Sequence, residues 1–296
     1  MTDLPLDQVR TLLAAVDEGT FDAAARLLRL TPSAVSQRIK ALEQRTGRVL
    51  LLRSKPVRLT DSGEVVVRFA RQLALLERDA SAELGLSGGG GPTRLSVAVN
   101  SDSLATWFLP ALAAAAAELP VCFDLHREDQ DHTTRLLRQG LVMAAVTSSP
   151  DPVQGCTVSR LGRMRYHAMA APEFAARWLA RGPLPEVLGE APVVVFDRSD
   201  DLQDAFHRGI APDRPQPVTR HCVPASEAFV AAVAAGLGWG MVPEAQAAPH
   251  RTAGTLVDLA ADRPVDVPLY WQQWKLDSPA LTVLAAAVAR IAAEVL

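Results

Sequence analysis

The residues with the clearest chemical potential lie on one face of a short predicted helix. Val35, Ile39 and Leu42 follow helical spacing, so the side chains between them form a polar and basic opposite face. An α-helix has the diameter to lie in the major groove of DNA, where such side chains can hydrogen-bond base edges and phosphates. The predicted DNA contacts on this helix are Ser33, Ser36, Gln37, Arg38 and Lys40.

A second set of polar residues follows the ends of predicted strands beyond residue 92. Ser101 and Ser103 open a helix whose free N–H groups and dipole favour a carboxylate. Acids dominate at two other strand ends, which suits a ligand with one carboxylate and extra positive charge, such as a basic amino acid. The simpler alternative is that Ser101 or Asp102 caps its helix and that the acids are solvated. The predicted ligand contacts are Ser101, Ser103, Thr106, Glu128, Asp129, Thr147, Asp197, Asp200 and Ser226.

Two helices joined by a tight turn must position the DNA-facing residues. The first is predicted at 21–28. Thr31 is a candidate N-cap for the second, and Pro32 occupies the first helical position, where its missing N–H costs no hydrogen bond. A preceding helix at 6–18 has one apolar face and is predicted to complete a three-helix core.

A two-stranded wing is predicted after Gly47, which ends the second helix. Its strands are 49–53 and 57–59, and Arg53 and Lys55 are placed to meet phosphates. A pair of packed surface helices with a solvated face is the alternative. The charge favours DNA, because the first 60 residues carry 10 Lys and Arg against 6 Asp and Glu, net +4, in a chain of net −3.

A long helix from Thr60, its candidate N-cap, to Leu84 is predicted to connect the wing to the rest of the chain. Its apolar residues recur at spacings of three and four, which is typical of a coiled-coil seam and predicts a dimer that reads a palindrome. A helix packed on its own domain is the alternative. Residues 85–92 contain four consecutive glycines and form the clearest linker. The seam residues are Val66, Phe69, Leu73, Leu76, Ala80 and Leu84.

Strands alternate with helices from residue 94 onward, which predicts an open α/β sheet. Strands at 94–99, 121–127 and 141–146 form a first lobe with helices at 104–118 and 131–138. A second lobe follows, and a last strand at 267–274 precedes a closing helix at 278–296. Ligands of such sheets bind beyond the carboxyl ends of the strands. The second lobe has predicted strands at 165–170, 192–196, 218–223 and 239–242 and helices at 172–181, 200–208, 226–235 and 244–248.

Composition narrows the function further. With 49% hydrophobic residues and no apolar run of membrane-spanning length, the 296-residue chain is expected to be a cytoplasmic globular protein without a membrane partner. No GxSxG, P-loop or HExxH motif occurs, so we expect no enzyme. The 3 cysteines are far apart, and His126 and His132 fit no common metal spacing, so neither a cofactor nor a metal is predicted.

Residues 1–87 resemble the DNA-binding end of the LysR-type transcriptional regulators. Leu51 and Ser62 depart mildly from the family pattern, which more often has Phe and Ala there. The resemblance implies a winged helix-turn-helix, a long linker helix and a two-lobed α/β effector domain like periplasmic binding proteins, with the last strand crossing back to the first lobe. The matching stretches are 6–17, 19–21, 23–25, 31–39, 59–60 and 62–63.

The domain boundaries that follow are 1–60 for the winged helix-turn-helix, 61–87 for the dimerisation helix, 88–92 for the hinge and 93–296 for the effector domain. Within the effector domain, lobe I is expected at about 93–162 and 267–296, and lobe II at about 163–266.

Stretches across the effector domain resemble the LysG/ArgP branch, the regulators of lysine and arginine export. They include 100–108, 128–129, 196–206, 226–229 and 269–279. The resemblance implies an activator of a basic amino acid exporter gene that responds to L-lysine or L-arginine bound between the lobes. It implies a homodimer that pairs into a tetramer, double-stranded operator DNA and RNA polymerase as partners. A regulator of the same type with a different small metabolite, or a DNA-binding protein without a ligand, remains the alternative.

Overall fold

The computed structural model describes residues 4–52, 54–86, 92–127 and 130–296, with the side chains of 130–132 excepted. The predicted site residues Arg53, Glu128 and Asp129 lie outside the described residues. None of the described helices is both long enough and apolar enough to cross a membrane.

The N-terminal domain consists of three helices and a short wing. Thr31 caps the third helix, as predicted, by accepting a hydrogen bond from the N–H of Ala34 at 3.1 Å. Gly47 ends it in the left-handed conformation, with φ +64°. The wing strands pair antiparallel and are shorter than predicted, with two residues each. The elements are α1 (Leu6–Asp17), α2 (Phe21–Leu28), α3 (Pro32–Thr46), β1 (Leu51–Leu52) and β2 (Arg58–Leu59).

The long helix α4 (Asp61–Glu83) begins where predicted, because the hydroxyl of Thr60 accepts the N–H of Gly63 at 3.1 Å. A Cβ at position 63 would lie 2.0 Å from the carbonyl oxygen of Leu50, so only glycine allows this start of the helix to touch the wing. Val66, which the seam pattern assigned to a dimer contact, is buried in the N-terminal core. Leu75 belongs instead to the core of the α/β region.

The first lobe is a parallel α/β unit, as predicted. Strand β3 lies between β4 and β5 and pairs with both in parallel. A π-helical turn, Leu104–Phe108, joins a short first helix to the Ala-rich one and makes one nearly continuous helix. The elements are β3 (Thr93–Val99), α5 (Ser101–Ser103), α6 (Leu109–Glu118), β4 (Val121–Arg127), α7 (Gln130–Arg138) and β5 (Ala144–Thr147).

The remaining elements form the second lobe and return to the first. Strands β7 and β8 pair in parallel, and an isolated bridge joins Val193 of β7 to Trp239 beside β9. They are β6 (Cys156–Ala170), α8 (Pro172–Trp178), α9 (Leu184–Val187), β7 (Val193–Val195), α10 (Leu202–Ile210), β8 (Arg220–Cys222), α11 (Ser226–Ala234), β9 (Gly240–Pro243), α12 (Glu244–Ala253), β10 (Val257–Asp258), β11 (Val265–Trp274) and α13 (Pro279–Val295).

Two long strands connect the lobes. Strand β11 pairs antiparallel with β5 of the first lobe and with β6 along its whole length. Strand β6 continues into the second lobe, where it pairs with β9 and β10. The predicted strand at 165–170 is therefore only the end of a 15-residue strand. The first part of β6, from Cys156, was missed because Gly162 and several exposed arginines break the alternating apolar pattern.

Candidate functional site

The outer face of α3 presents the predicted DNA-reading residues. Ser33, Gln37 and Lys40 are exposed, and Ser36 is half-buried beside them. They share a face because residues three and four positions apart are neighbours on a helix. Val35, Ile39 and Leu42 on the opposite face are buried in the three-helix core, which fixes the rotation of α3.

Arg38 is placed differently from its neighbours. Its guanidinium Nη1 donates to the hydroxyl of Thr11 at 3.4 Å, and its Nε lies 3.6 Å from a carboxylate oxygen of Asp7. The side chain therefore contacts α1, and the structure does not bring it to the outer face of α3 with Gln37.

The wing, formed by β1, β2 and the loop between them, carries exposed basic residues. Lys55 lies between the wing strands and is exposed, and Arg58 on β2 is exposed as well. The carbonyl oxygens of Val49 and Leu50 are bound by the hydroxyl and N–H of Thr60, at 2.7 and 3.1 Å, which holds the wing against the start of α4. An exposed helix face flanked by an exposed basic wing is suited to a DNA groove and its phosphates.

A cavity of about 430 Å³ lies between the two lobes, at the ends of their strands. Four acids line it, which are Asp102 from lobe I and Asp197, Asp200 and Asp201 from lobe II. Among the described residues, the lining includes no Lys, Arg or His. The cavity is therefore electronegative and has the size of a small-molecule site.

Ser101 and Ser226, two of the predicted ligand contacts, both line this cavity and join the two lobes there. The backbone N–H of Ser226, at the start of α11, donates to the Ser101 hydroxyl oxygen at 3.3 Å. The Ser226 hydroxyl lies 3.0 Å from Oε1 of Gln246. Two helix starts thus meet across the cleft, where the Ser101 hydroxyl can still donate its proton to an anionic group.

Asp102 and Tyr166 form a pair in the cavity that sequence reasoning missed as a site. The Tyr166 hydroxyl donates to Oδ2 of Asp102 at 2.7 Å. Burial raises the pKa of the Asp102 carboxyl, and hydrogen bonds from Tyr166 and Ser226 oppose that rise. Burial and the adjacent Asp102 raise the pKa of Tyr166 well above its usual range, so it stays a donor. Asp102 does not cap its helix.

The acids of lobe II organise their own loop. One carboxylate oxygen of Asp197 accepts the N–H and hydroxyl of Ser199 at 2.6 and 2.7 Å. Asp200 accepts the N–H groups of Phe196 and Leu202 at 2.7 and 3.1 Å. Burial raises the pKa of Asp200, and these two backbone donors oppose the rise. The loop therefore holds its carboxylates in place at the cavity wall.

Three predicted contacts lie elsewhere. Ser103 is fully buried and is not part of the cavity wall. Thr106 donates to the carbonyl oxygen of Asp102 within its own helix. Thr147 is buried and donates to the carbonyl oxygen of Ser149, next to Gln272. These three residues follow predicted strands, but the helix and strand geometry directs their side chains away from the cavity.

Two buried amide side chains line the cavity with an oxygen that has no hydrogen-bond partner among the described residues. They are Oδ1 of Asn100 and Oε1 of Gln203, and both side chains are at least nine-tenths buried. A buried acceptor without a donor costs free energy, so these oxygens favour a ligand that carries N–H groups. In the described part of the chain no group of three or more His, Cys, Asp or Glu residues could hold a metal ion.

Two separate regions of the chain match known protein families. Residues 6–64 match the family described as bacterial regulatory helix-turn-helix protein, lysR family. Residues 88–293 match the LysR substrate binding domain. The second match alone covers more than half of the chain.

Proteins with similar sequences are named as transcriptional regulators. The HTH-type transcriptional regulator LysG of Mycobacterium tuberculosis is 48% identical over 286 residues, covering 94% of this chain and 91% of that protein. The lysine export transcriptional regulatory protein LysG of Corynebacterium glutamicum is 42% identical over 290 residues, with 97% of each covered.

Two solved structures are similar over nearly their whole length. The crystal structure of ArgP from Mycobacterium tuberculosis has a TM-score of 0.88 at 47% identity, with 96% of each chain covered. Full-length LysG from Corynebacterium glutamicum with the bound effector Arg has a TM-score of 0.82 at 41% identity, with 98% of each chain covered.

Proposed function

Because the chain belongs to the LysR family of transcriptional regulators, in the branch whose members are named LysG and ArgP, we propose that it activates a basic amino acid exporter gene in response to L-lysine or L-arginine. The family consists of DNA-binding regulators and not of enzymes, and no cofactor is implied. The proposal includes a palindromic operator, a dimer that pairs into a tetramer, and RNA polymerase as the partner of the activator.

The observation that carries the proposal is the cleft with four acids and, within the described chain, no basic residue in its wall. Partly desolvated carboxylates in a wall whose described residues include no basic side chain favour a cationic ligand, and each charge-assisted hydrogen bond contributes about 1.5–3 kcal/mol. The Corynebacterium glutamicum relative binds Arg as its effector, which supports the same ligand class here.

The α-carboxylate of the ligand is assigned to Ser101 and the two helix starts that meet at Ser226. The cationic end of its side chain is assigned to the lobe II loop, where Asp197 and Asp200 are held by backbone donors. Ser103, Thr106 and Thr147 do not line the cavity, so the proposal does not depend on them.

Ligand binding would stabilise one arrangement of the lobes, because the ligand contacts both. A ligand shifts a conformational equilibrium only by its difference in affinity for the two states. The DNA-binding helices would sense that difference through α4, which packs against both the N-terminal core and the α/β core.

Titration calorimetry of the full chain tests the ligand class with matched pairs. L-lysine is compared with L-norleucine, which lacks only the side-chain ammonium. L-arginine is compared with L-citrulline, whose side chain is uncharged. Loss of one charge-assisted contact should weaken binding by about tenfold to a hundredfold. Equal affinities within both pairs would contradict a site for basic amino acids.

A further inference from the structure

In the proposed basic amino acid site, the buried pair of Asp102 and Tyr166 has no role in recognising the side chain of the ligand. We infer that Asp102, held in position by Tyr166, accepts the α-ammonium group of the ligand. The cleft would then select free amino acids over cations that lack an α-amino group. This inference rests on the proposed function, since it concerns the same cleft.

The geometry fixes Asp102 for such a contact. The hydroxyl of Tyr166 donates to Oδ2 at 2.7 Å, and Tyr166 itself is only 4% exposed. Tyr166 lies on β6 where that strand pairs with both Val265 and Pro243, so its backbone is held from two sides. A carboxylate can accept about four hydrogen bonds. One donor from Tyr166 therefore orients Asp102 and leaves acceptor sites facing the cavity.

The charge around Asp102 calls for a cation. In the described part of the cavity wall no basic side chain faces it, and the neighbouring Glu227 adds a further negative charge. The Ser226 hydroxyl has a single proton, which it can give to Asp102 or to Gln246 but not to both. An ammonium group supplies three donors and a compensating charge.

The position of Asp102 identifies which ligand group it meets. It directly follows Ser101, where the carboxylate is assigned, and in an amino acid the α-ammonium and α-carboxylate share one carbon. Their partners must therefore be adjacent, and Ser101 and Asp102 are. The lobe II acids Asp197 and Asp200, in the same cavity wall, are left for the distal cation of the side chain.

The alternative placement has the side-chain cation at Asp102 and the α-ammonium at the lobe II loop. In that case the carboxylate would also move toward lobe II, because it cannot separate from the α-ammonium. The lobe II acids Asp197, Asp200 and Asp201 would then repel it. The Ser101 hydroxyl, whose oxygen accepts the Ser226 N–H and whose proton can still be donated, would be left without an anion.

The experiment is calorimetry on the full chain with L-arginine and 5-guanidinopentanoate, which is arginine without its α-amino group. The unsubstituted protein should bind L-arginine about tenfold to a hundredfold more tightly than 5-guanidinopentanoate, which is the range of one charge-assisted contact. Asp102→Asn should reduce that preference to less than about threefold, mainly by weakening L-arginine. Tyr166→Phe, which keeps the ring and removes the donor, should reduce the same ratio by a smaller factor, as expected of a positioning residue.

Asp262→Asn is the matched control, because Asp262 is an exposed acid of the same domain and does not line the cavity. It should leave the ratio unchanged. Thermal unfolding of each variant checks that it folds, and the ratio itself is insensitive to the folded fraction, which affects both ligands equally.

An undiminished preference for L-arginine in Asp102→Asn would overturn the inference, as would an original chain that binds both ligands equally. Failure of the proposed function is a separate result, in which the original chain binds neither L-lysine nor L-arginine, or does not discriminate them from L-norleucine and L-citrulline.

Discussion

Gln37 and Lys55 are both exposed polar residues, but they can recognise different parts of DNA. Gln37 lies on the outer face of α3, whereas Lys55 lies between the wing strands. A Gln amide can pair with the edge of a base, while a Lys ammonium on a wing neutralises a phosphate and carries no sequence information. The two residues therefore separate specificity from general affinity.

We expect Gln37→Ala to lose about 1–3 kcal/mol of discrimination between operator and random DNA. Lys55→Ala should weaken binding to both DNAs alike and reduce the slope of log affinity against log salt by about one. Fluorescence anisotropy at a series of salt concentrations measures both effects. Full operator preference in Gln37→Ala would show that α3 does not read bases through this residue.

At the scale of elements, α4 is the only described helix whose buried residues lie in both the N-terminal core and the α/β core. Arg71 of α4 donates to the carbonyl oxygen of Gly140 in lobe I at 2.7 Å and pairs with Asp17 of α1 at 2.5 Å. Gln139 donates to Glu64 of α4 at 2.8 Å. The Arg71 side chain thus joins the DNA-binding helices to the effector lobe.

We predict that Arg71→Gln weakens the response of DNA binding to L-arginine by several-fold and leaves L-arginine affinity of the effector cleft within about twofold. The reason is that the contact lies outside the cleft and carries coupling between sites, which is typically worth 1–3 kcal/mol. Operator affinity is measured with and without ligand, alongside calorimetry.

Arg290→Gln, an exposed arginine on α13, is the control and should behave like the original chain. A normal ligand response in Arg71→Gln would assign the coupling to other contacts.

At the scale of the whole molecule, one face of α4 is apolar and exposed in the single chain. Phe69 is 39% exposed, Leu76 is 42% exposed and Leu84 is 71% exposed, and all three belong to the predicted seam. Exposed apolar residues in a repeating pattern are typical of a surface that pairs with another helix. This supports a dimer, although Val66 contributes to the core of its own domain.

We expect Leu76→Glu to shift the chain from dimer to monomer, because it places two like charges in a symmetric seam. Operator affinity should fall by at least tenfold, since a single module has few base and phosphate contacts. Sedimentation velocity measures the first effect and anisotropy the second. Leu237→Glu, an equally exposed position on lobe II, should still form dimers; an unchanged dimer in Leu76→Glu would place the interface elsewhere.

The sequence by itself determined the elements whose signals act over a few residues. Thr31, Thr60 and Gly47 mark helix ends through hydrogen bonds and backbone conformations that form within three or four positions. The 3.6-residue period likewise predicted α1, α2 and α3, and with them the exposed face that carries Gln37. The LysR family was recognisable because its DNA-binding motif is almost entirely local.

Only the tertiary structure decided which residues meet at the cleft. Tyr166 reaches Asp102 across 64 positions of sequence, and Ser226 reaches Ser101 across 125. The contact of Tyr166 depends on the register of β6 with β11 and β9, where a shift of one residue turns every side chain to the opposite face. The contact of Ser226 depends on how the starts of two helices from different lobes are packed together. Arg38 turned toward α1 for a related reason: its partners, Asp7 and Thr11, are set by helix packing, and the spacing within α3 contains no information about them.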